Sequence, residues 1–172
     1  MDLKNKKILV AFFSRKGQNY SNGRIIELEK GNTATAAEMI AELTEGEIFE
    51  IRPVREYPAE YSACTMEARS ELRENARPEL VSDQDLTGYD VIFLGYPNWW
   101  STMPMPVWTF LEGHDFADKI ILPFCTHEGS GMGDSESDIK KLAAGAEIKK
   151  GLAIHGSGVS NAKAAIERWL KA

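Results

Sequence analysis

The chain is poor in cysteine, in basic residues and in long apolar runs. Only two of its 172 residues are cysteines, Cys64 and Cys125, with no C-x-x-C pair and no histidine at ligand spacing. That excludes a disulfide scaffold and argues against a metal site. The two read as small core residues in a reducing cytoplasm. Lys and Arg number 20 against 26 Asp and Glu, a formal charge of −6. This shortage of positive charge argues against nucleic acid or an anionic membrane as partner, because phosphate surfaces call for a basic face. No apolar run approaches the roughly 20 residues of a transmembrane helix. The ILVAFF that follows MDLKNKK is too short for a signal-peptide core. G-x-x-x-x-G-K-[ST] is missing, which excludes a P-loop nucleotidase, and GSGVSN (156–161) lacks the third glycine of G-x-G-x-x-G. It reads as a tight turn.

What is present is an apolar fraction of 43%, enough for one core in one compact domain spanning 1–172. Strand-like and helix-like stretches alternate. KKILVAFF (6–13), YDVIFLGYP (89–97) and KIILPFC (119–125) are short continuous apolar runs, the pattern of strands covered on both faces. EIFEIRP (47–53) reads as an edge strand closed by Pro53, and EIKKGLAIHG (147–156) as a last strand. Helices are expected at 33–44, capped by Gly46, and at 65–75, 106–113, 135–145 and 161–170. Five strands separated by helices imply right-handed parallel crossovers and a three-layer, doubly wound α/β sandwich. In such sheets the ligand sits beyond the carboxyl ends of the strands. The loops that matter are therefore 14–32, 97–104 and 126–134.

The first loop starts Ser14-Arg15-Lys16 and ends Gly31-Asn32-Thr33. Without residues 17–30 it reads S-R-K-G-N-T, a hydroxyl- and glycine-rich turn feeding a helix N-terminus, which suits a phosphate. Asn32-Thr33 reads equally well as a plain helix cap, with Thr35 to Glu38 offering a capping box. The 14 intervening residues hold Ser21-Asn22-Gly23-Arg24 followed by RIIELE, the signature of a small hairpin. In the second loop Trp99 and Trp100 stand side by side. An indole stacks well on a planar ring, whereas the structural alternative puts one in the core and one over a neighbouring helix. The third loop, THEGSGMGDS, has Gly129, Gly131 and Gly133 at spacing two, which lets main-chain groups lie edge-on to a flat polar ligand. His127 there is either a loop hydrogen-bonder or a group that passes a proton. Glu128, Asp134, Glu136 and Asp138 read as acids at a helix N-terminus.

A phosphate at one end and a flat, polar-edged ring at the other describe FMN. The motifs FLGYPNWW, TFLE, PFCTHEGSG and GLAIHG, in that order along nearly the whole chain, resemble the flavodoxin family, whose phosphate turn reads S-x-T-G-N-T. The resemblance implies a strand order of 2-1-3-4-5. It also implies that Ser14, Lys16, Asn32, Thr33 and the N–H of Ala34 hold the phosphate. Pro97, Asn98, Trp99 and Trp100 would flank the ring, at least one indole stacking on it. Thr126, His127, Glu128, Gly129, Gly131 and Gly133 would line its edge. Lys16 stands where the family has a hydroxyl, and the insertion divides the turn. Positions 98–102 hold no glycine, and only Asn98 tolerates a positive φ comfortably, which favours two-electron use. The implied function is electron carriage by bound FMN between redox partner proteins. The alternatives are an NAD(P)H-dependent reductase of quinone-like acceptors, and a module of this fold without cofactor.

Overall fold

The computed structural model describes residues 3–172; Met1 and Asp2, the start of the expected domain, lie outside them. Strand β1 (Ile8–Phe12) is followed by β2 (Gly17–Ser21) and β3 (Arg24–Leu28), then by helix α1 (Asn32–Thr44) and β4 (Glu47–Glu50). Next come α2 (Tyr61–Glu74), β5 (Val91–Pro97), α3 (Met105–Glu112), β6 (Ile120–His127) and α4 (Ser135–Leu142). β7 (Glu147–Ile148), β8 (Leu152–His155), a 3₁₀ turn (Gly156–Asn161) and α5 (Lys163–Lys171) complete the chain.

The main sheet runs β4-β1-β5-β6-β7, with β8 also on β6, and every pairing in it is parallel. β7 pairs with Ile120–Ile121 and β8 with Phe124–His127, so they occupy successive lengths of one edge. Counting them as one position gives the flavodoxin-like order of five. The single strand expected at 147–156 is split because Gly151 leaves the ladder. Its N–H donates to Glu136 Oε1 (2.7 Å), and a Cβ there would lie 2.4 Å from the Met132 methyl.

The alternation within β1 explains the layers. Ile8, Val10 and Phe12 face α1 and α5 in one buried cluster with Ala36, Ala37, Ile40 and Ile166. Leu9, Ala11 and Phe13 face the other, with Val107, Phe110, Leu111 and Ile139. A strand clad on both faces must be apolar at every position, which is why these segments read as continuous runs. Gly95 is the gap in β5 because the Phe124 ring fills its place: a Cβ would sit 2.1 Å from Cζ.

Several boundaries differ from expectation for local reasons. α2 begins at Tyr61, a turn early, because the Glu60 carboxylate accepts from the amides of Ser62 (2.9 Å) and Ala63 (2.7 Å), an N-cap. The left-handed residue that ends α1 is Glu45, with φ 55°, rather than Gly46. Gly46 is small for another reason, since a Cβ would lie 2.9 Å from the Ile8 side chain. Thr35 caps nothing: it sits inside α1 with its hydroxyl on the Gly31 carbonyl (3.3 Å), while Glu38 pairs with Lys30.

Replacing Gly95 with alanine should force the Phe124 ring aside and destabilise the protein by about 1–3 kcal/mol, the usual range for overpacking. Chemical denaturation checks this; an unchanged midpoint would show that the ring moves freely.

Candidate functional site

β1, β5 and β6 end together, and the three glycine- and hydroxyl-rich loops leave from that one edge. At the first loop, residues 14–15 and Gly31 close the base of the insertion. A Cβ on Gly31 would lie 2.2 Å from Ser14 Oγ and 2.4 Å from the Arg15 carbonyl, so only glycine permits this approach. α1 starts directly after it, with no side-chain cap and no acid in its first turn. The amides of Asn32 and Thr33 have no partners within the helix and carry the positive end of its dipole. The Ala34 N–H donates to Ser14 Oγ (3.0 Å) instead. Thr33 is buried, its hydroxyl 2.7 Å from that of Thr126, which joins the first loop to the third.

The second and third loops are stitched to each other. The Asn98 amide group donates to the Gly131 carbonyl (2.8 Å), its oxygen accepts from Ser101 N (3.0 Å), and its own N–H reaches the Thr126 carbonyl (2.9 Å). Asp134 N donates to the Ser101 carbonyl (2.6 Å). Gly133 has φ 54°, and a Cβ there would lie 2.3 Å from that same carbonyl. Gly129 and Gly131 also have positive φ, yet neither lines the cleft; Ser130 does.

The two tryptophans part company. Trp99 packs edge-on against Phe13 (5.2 Å between ring centroids) and Tyr57 (5.0 Å) and forms one wall of the cleft. Trp100 lies outside it, with its indole N–H on the Thr65 carbonyl of α2 (2.9 Å). The cause is a tight turn: Trp99 and Thr102 exchange main-chain hydrogen bonds (2.9 and 3.2 Å), with Trp100 at φ 55° and Ser101 at φ 72°. The positive φ values thus fall on Trp100 and Ser101, and not on Asn98. That overturns the local ground given for two-electron use.

The insertion forms a hairpin, β2 antiparallel to β3, turning at Asn22 (φ 47°) and Gly23 (φ 86°), a two-residue loop of primed type. It reaches across the cleft. At its base Arg15 donates to the carbonyls of Gln18 (3.0 Å) and Ala59 (2.8 Å), and Gln18 accepts from Tyr61 N (2.8 Å); nearer the tip the Tyr20 and Tyr61 rings stack at 6.5 Å. At its tip Glu128 accepts from the amides of Asn22 (3.1 Å) and Ser157 (2.6 Å). Glu128 is thus a pin for the hairpin and not an acid of a helix N-terminus, a place held by Glu136 and Asp138.

The resulting cleft has a volume of about 280 Å³. It gathers Asn32, Thr33, Pro97, Asn98, Trp99, Thr126, His127 and Glu128 from the expected set. Ser14 and Ala34 stand behind the lining. Lys16 is exposed and does not line it. Sequence reasoning missed Asn19, Tyr20, Tyr61 and Gly156. Arg15, the cation next to Ser14, and Ser130, inside the third loop, also line the cleft. Gly156 opens the turn expected at 156–161, and a Cβ on it would press on Asn32 (2.5 Å) and Glu128 (2.9 Å). A wider groove, about 530 Å³, lies outside on α2 beside Trp100.

His127 Nδ1 accepts from Gly129 N (2.9 Å), so in the neutral ring the proton sits on Nε2. Burial pushes its pKa down, the neighbouring His155 adds to this, and Glu128 opposes it. Behind Trp99, the Tyr57 hydroxyl donates to Glu71 (2.5 Å). Burial raises the Glu71 pKa, a shift the tyrosine bond counters, while burial and Glu71 hold the phenol well above its ordinary range. Among the described residues no cluster of His, Cys, Asp and Glu is placed to hold a metal ion, and no helix is long and apolar enough to cross a membrane.

No curated protein matches this chain. Solved structures do. A protein from Bacteroides eggerthii, provisionally named a flavoprotein, is 30% identical with a TM-score of 0.76, covering 97% of each chain. A similarly named protein from Bacteroides uniformis is 29% identical with a TM-score of 0.74, covering 98% of this chain and 100% of that one. A Lactobacillus acidophilus flavoprotein in complex with FMN is 23% identical with a TM-score of 0.66, covering 91% of this chain and 97% of that one. The family model described as flavodoxin matches residues 7–172. With that match, the sheet order and the three converging loops, this chain belongs to the flavodoxin family.

Proposed function

We propose that this protein is an FMN-dependent electron carrier of the cytoplasm, with the cofactor in the cleft under the β2–β3 hairpin. One observation carries the reading: the first turn of α1, with no cap from its own N-cap residue and no acid, opens into a cleft that Trp99 also lines. The donor set fits FMN. The amides of Asn32 and Thr33, the Asn32 side chain and the charge of Arg15 suit a phosphate dianion. Lys16 is left out, being exposed. Trp99 suits the ring, and the main chain around Thr126 to Ser130 suits its polar edge. The FMN complex of the Lactobacillus flavoprotein supports the same cofactor here.

The bound flavin would supply the redox chemistry, accepting and returning electrons. The residues hold, orient and shield it. Asn98 and Gly133 tie the two loops on either side of the ring to each other, which positions Trp99 for it. The hairpin, pinned at Glu128, would cover the bound cofactor with Asn19 and Tyr20. His127 presents a neutral ring with an N–H donor. Cys64 and Cys125 take no part: both are buried, and burial lifts their thiols to about 11 and about 12. Two buried free thiols support a reducing compartment.

FMN added to the purified protein should be bound with its fluorescence quenched. Trp99→Ala should weaken binding about tenfold, consistent with roughly 1–1.5 kcal/mol of aromatic stacking. No quenching with the unmodified protein would overturn the reading. Bleaching of the bound flavin by NADH or NADPH alone would assign the reductase instead of the carrier.

The shift at His127 also sets a pH dependence. Its value in the folded protein lies below 6.5, and unfolding returns it towards that value. Between the two the unfolded chain binds more protons, so this contribution is complete above about pH 6.5 and is lost as the pH falls through the folded value. His127→Asn should flatten the acid limb of stability below about pH 6.5. An unaltered slope by denaturant titration would place the lost protons elsewhere.

A further inference from the structure

α2 carries a second surface that the cleft does not use. Met66, Arg69, Ser70 and Arg73 recur at helical spacing and, with Trp100, line the 530 Å³ groove. Met66 is 66% exposed and Trp100 46%, large apolar areas for an outer face. The Arg69 guanidinium lies 5.0 Å from the Trp100 ring centroid, a cation–π contact. Arg73 is 3.9 Å from Glu74, which also accepts from Ser70. The other acids of the helix turn away: Glu67 pairs with Arg55 and Glu71 accepts from Tyr57. Trp100 is held outward at a cost, because a non-glycine residue at φ 55° is disfavoured. Strain of this kind gathers where a side chain must point in one direction.

Exposed Trp, Met and Arg together are the composition of an interface centre. On a chain of charge −6, Arg69 over the indole and Arg73 on the same groove make a local patch of opposite sign. At physiological salt, charges beyond about 8 Å are screened, so the patch and not the total charge meets a docking partner. We propose that the α2–Trp100 groove docks an acidic electron-transfer protein, with Trp100 as its anchor. The following residue pair explains why here: Trp100 is bonded to Trp99, whose ring walls the cleft, so a partner seated on one indole lies one residue from the site. A reduced one-electron partner such as an iron–sulfur protein gives up one electron per encounter and is itself oxidised. Two encounters, with protons from solvent, supply what full reduction of FMN takes up.

This proposal rests on the FMN reading, and the test separates the two. The FMN-loaded protein is mixed with a prereduced, acidic [2Fe–2S] ferredoxin, and flavin bleaching is followed against ionic strength. From about 0.1 M salt, where the total charge is screened, to about 1 M the rate should fall at least about tenfold, as association steered by a local patch does. Arg69→Glu with Arg73→Glu should slow the rate at about 0.1 M salt about tenfold and remove this fall. Arg69→Lys with Arg73→Lys should keep most of it, and Trp100→Ala should slow the reaction at every salt. FMN affinity and photochemical reduction of the double glutamate variant should match the parent. A charge-reversed variant with the parent's rate and salt slope overturns the docking proposal, as does a dimer in sedimentation that the double variant dissolves. Failure of the parent to bind FMN would instead sink the cofactor reading.

Discussion

The site depends on three parallel strands that stop at one edge. β1 and β5 run in register from Ile8 opposite Val91 to Phe12 opposite Gly95, and β5 with β6 from Val91 opposite Ile120 to Pro97 opposite Thr126. The chain then turns to opposite faces, α1 on one side and α3 and α4 on the other. A crevice opens where the crossovers diverge. Each loop leaves the sheet already placed, so loops separated by up to a hundred positions need only short hydrogen bonds to lock. Thr33 to Thr126 and Asn98 to Gly131 supply them.

That framework explains how a strained turn is tolerated. Trp100 and Ser101 both hold positive φ, and four hydrogen bonds, two across the turn, one to Asn98 and one from Asp134, enforce it. The consequence is that adjacent indoles serve different surfaces. One closes the cleft against Phe13 and Tyr57; the other covers α2. Gly133 belongs to the same device, because no side chain fits against the Ser101 carbonyl.

The sheet was legible because burial on both faces leaves uninterrupted apolar runs, and Val10 or Phe93 has no polar neighbour to confuse the reading. The turn at the head of α1 was legible once the insertion was set aside, since Gly31 and Ser14 meet as if 17–30 were absent. The hairpin's reach was not. Tyr20 on Tyr61 and Asn22 on Glu128 are contacts between distant segments that no period or spacing encodes. The same holds for Glu128, which looked like a helix acid because α4 begins only a few residues later. Trp100 was misplaced for a different reason: a turn with tryptophan at positive φ runs against residue preference and is imposed by its neighbours.

Whether the three loops jointly clasp one FMN is read from amide chemical shifts recorded while FMN is added to isotopically labelled protein. The amides of Asn32, Thr33, Trp99 and His127 should move together, saturating at one equivalent, while those of α5 stay still. Shifts confined to one loop, or spread over distant faces without saturation, would contradict a joint clasp.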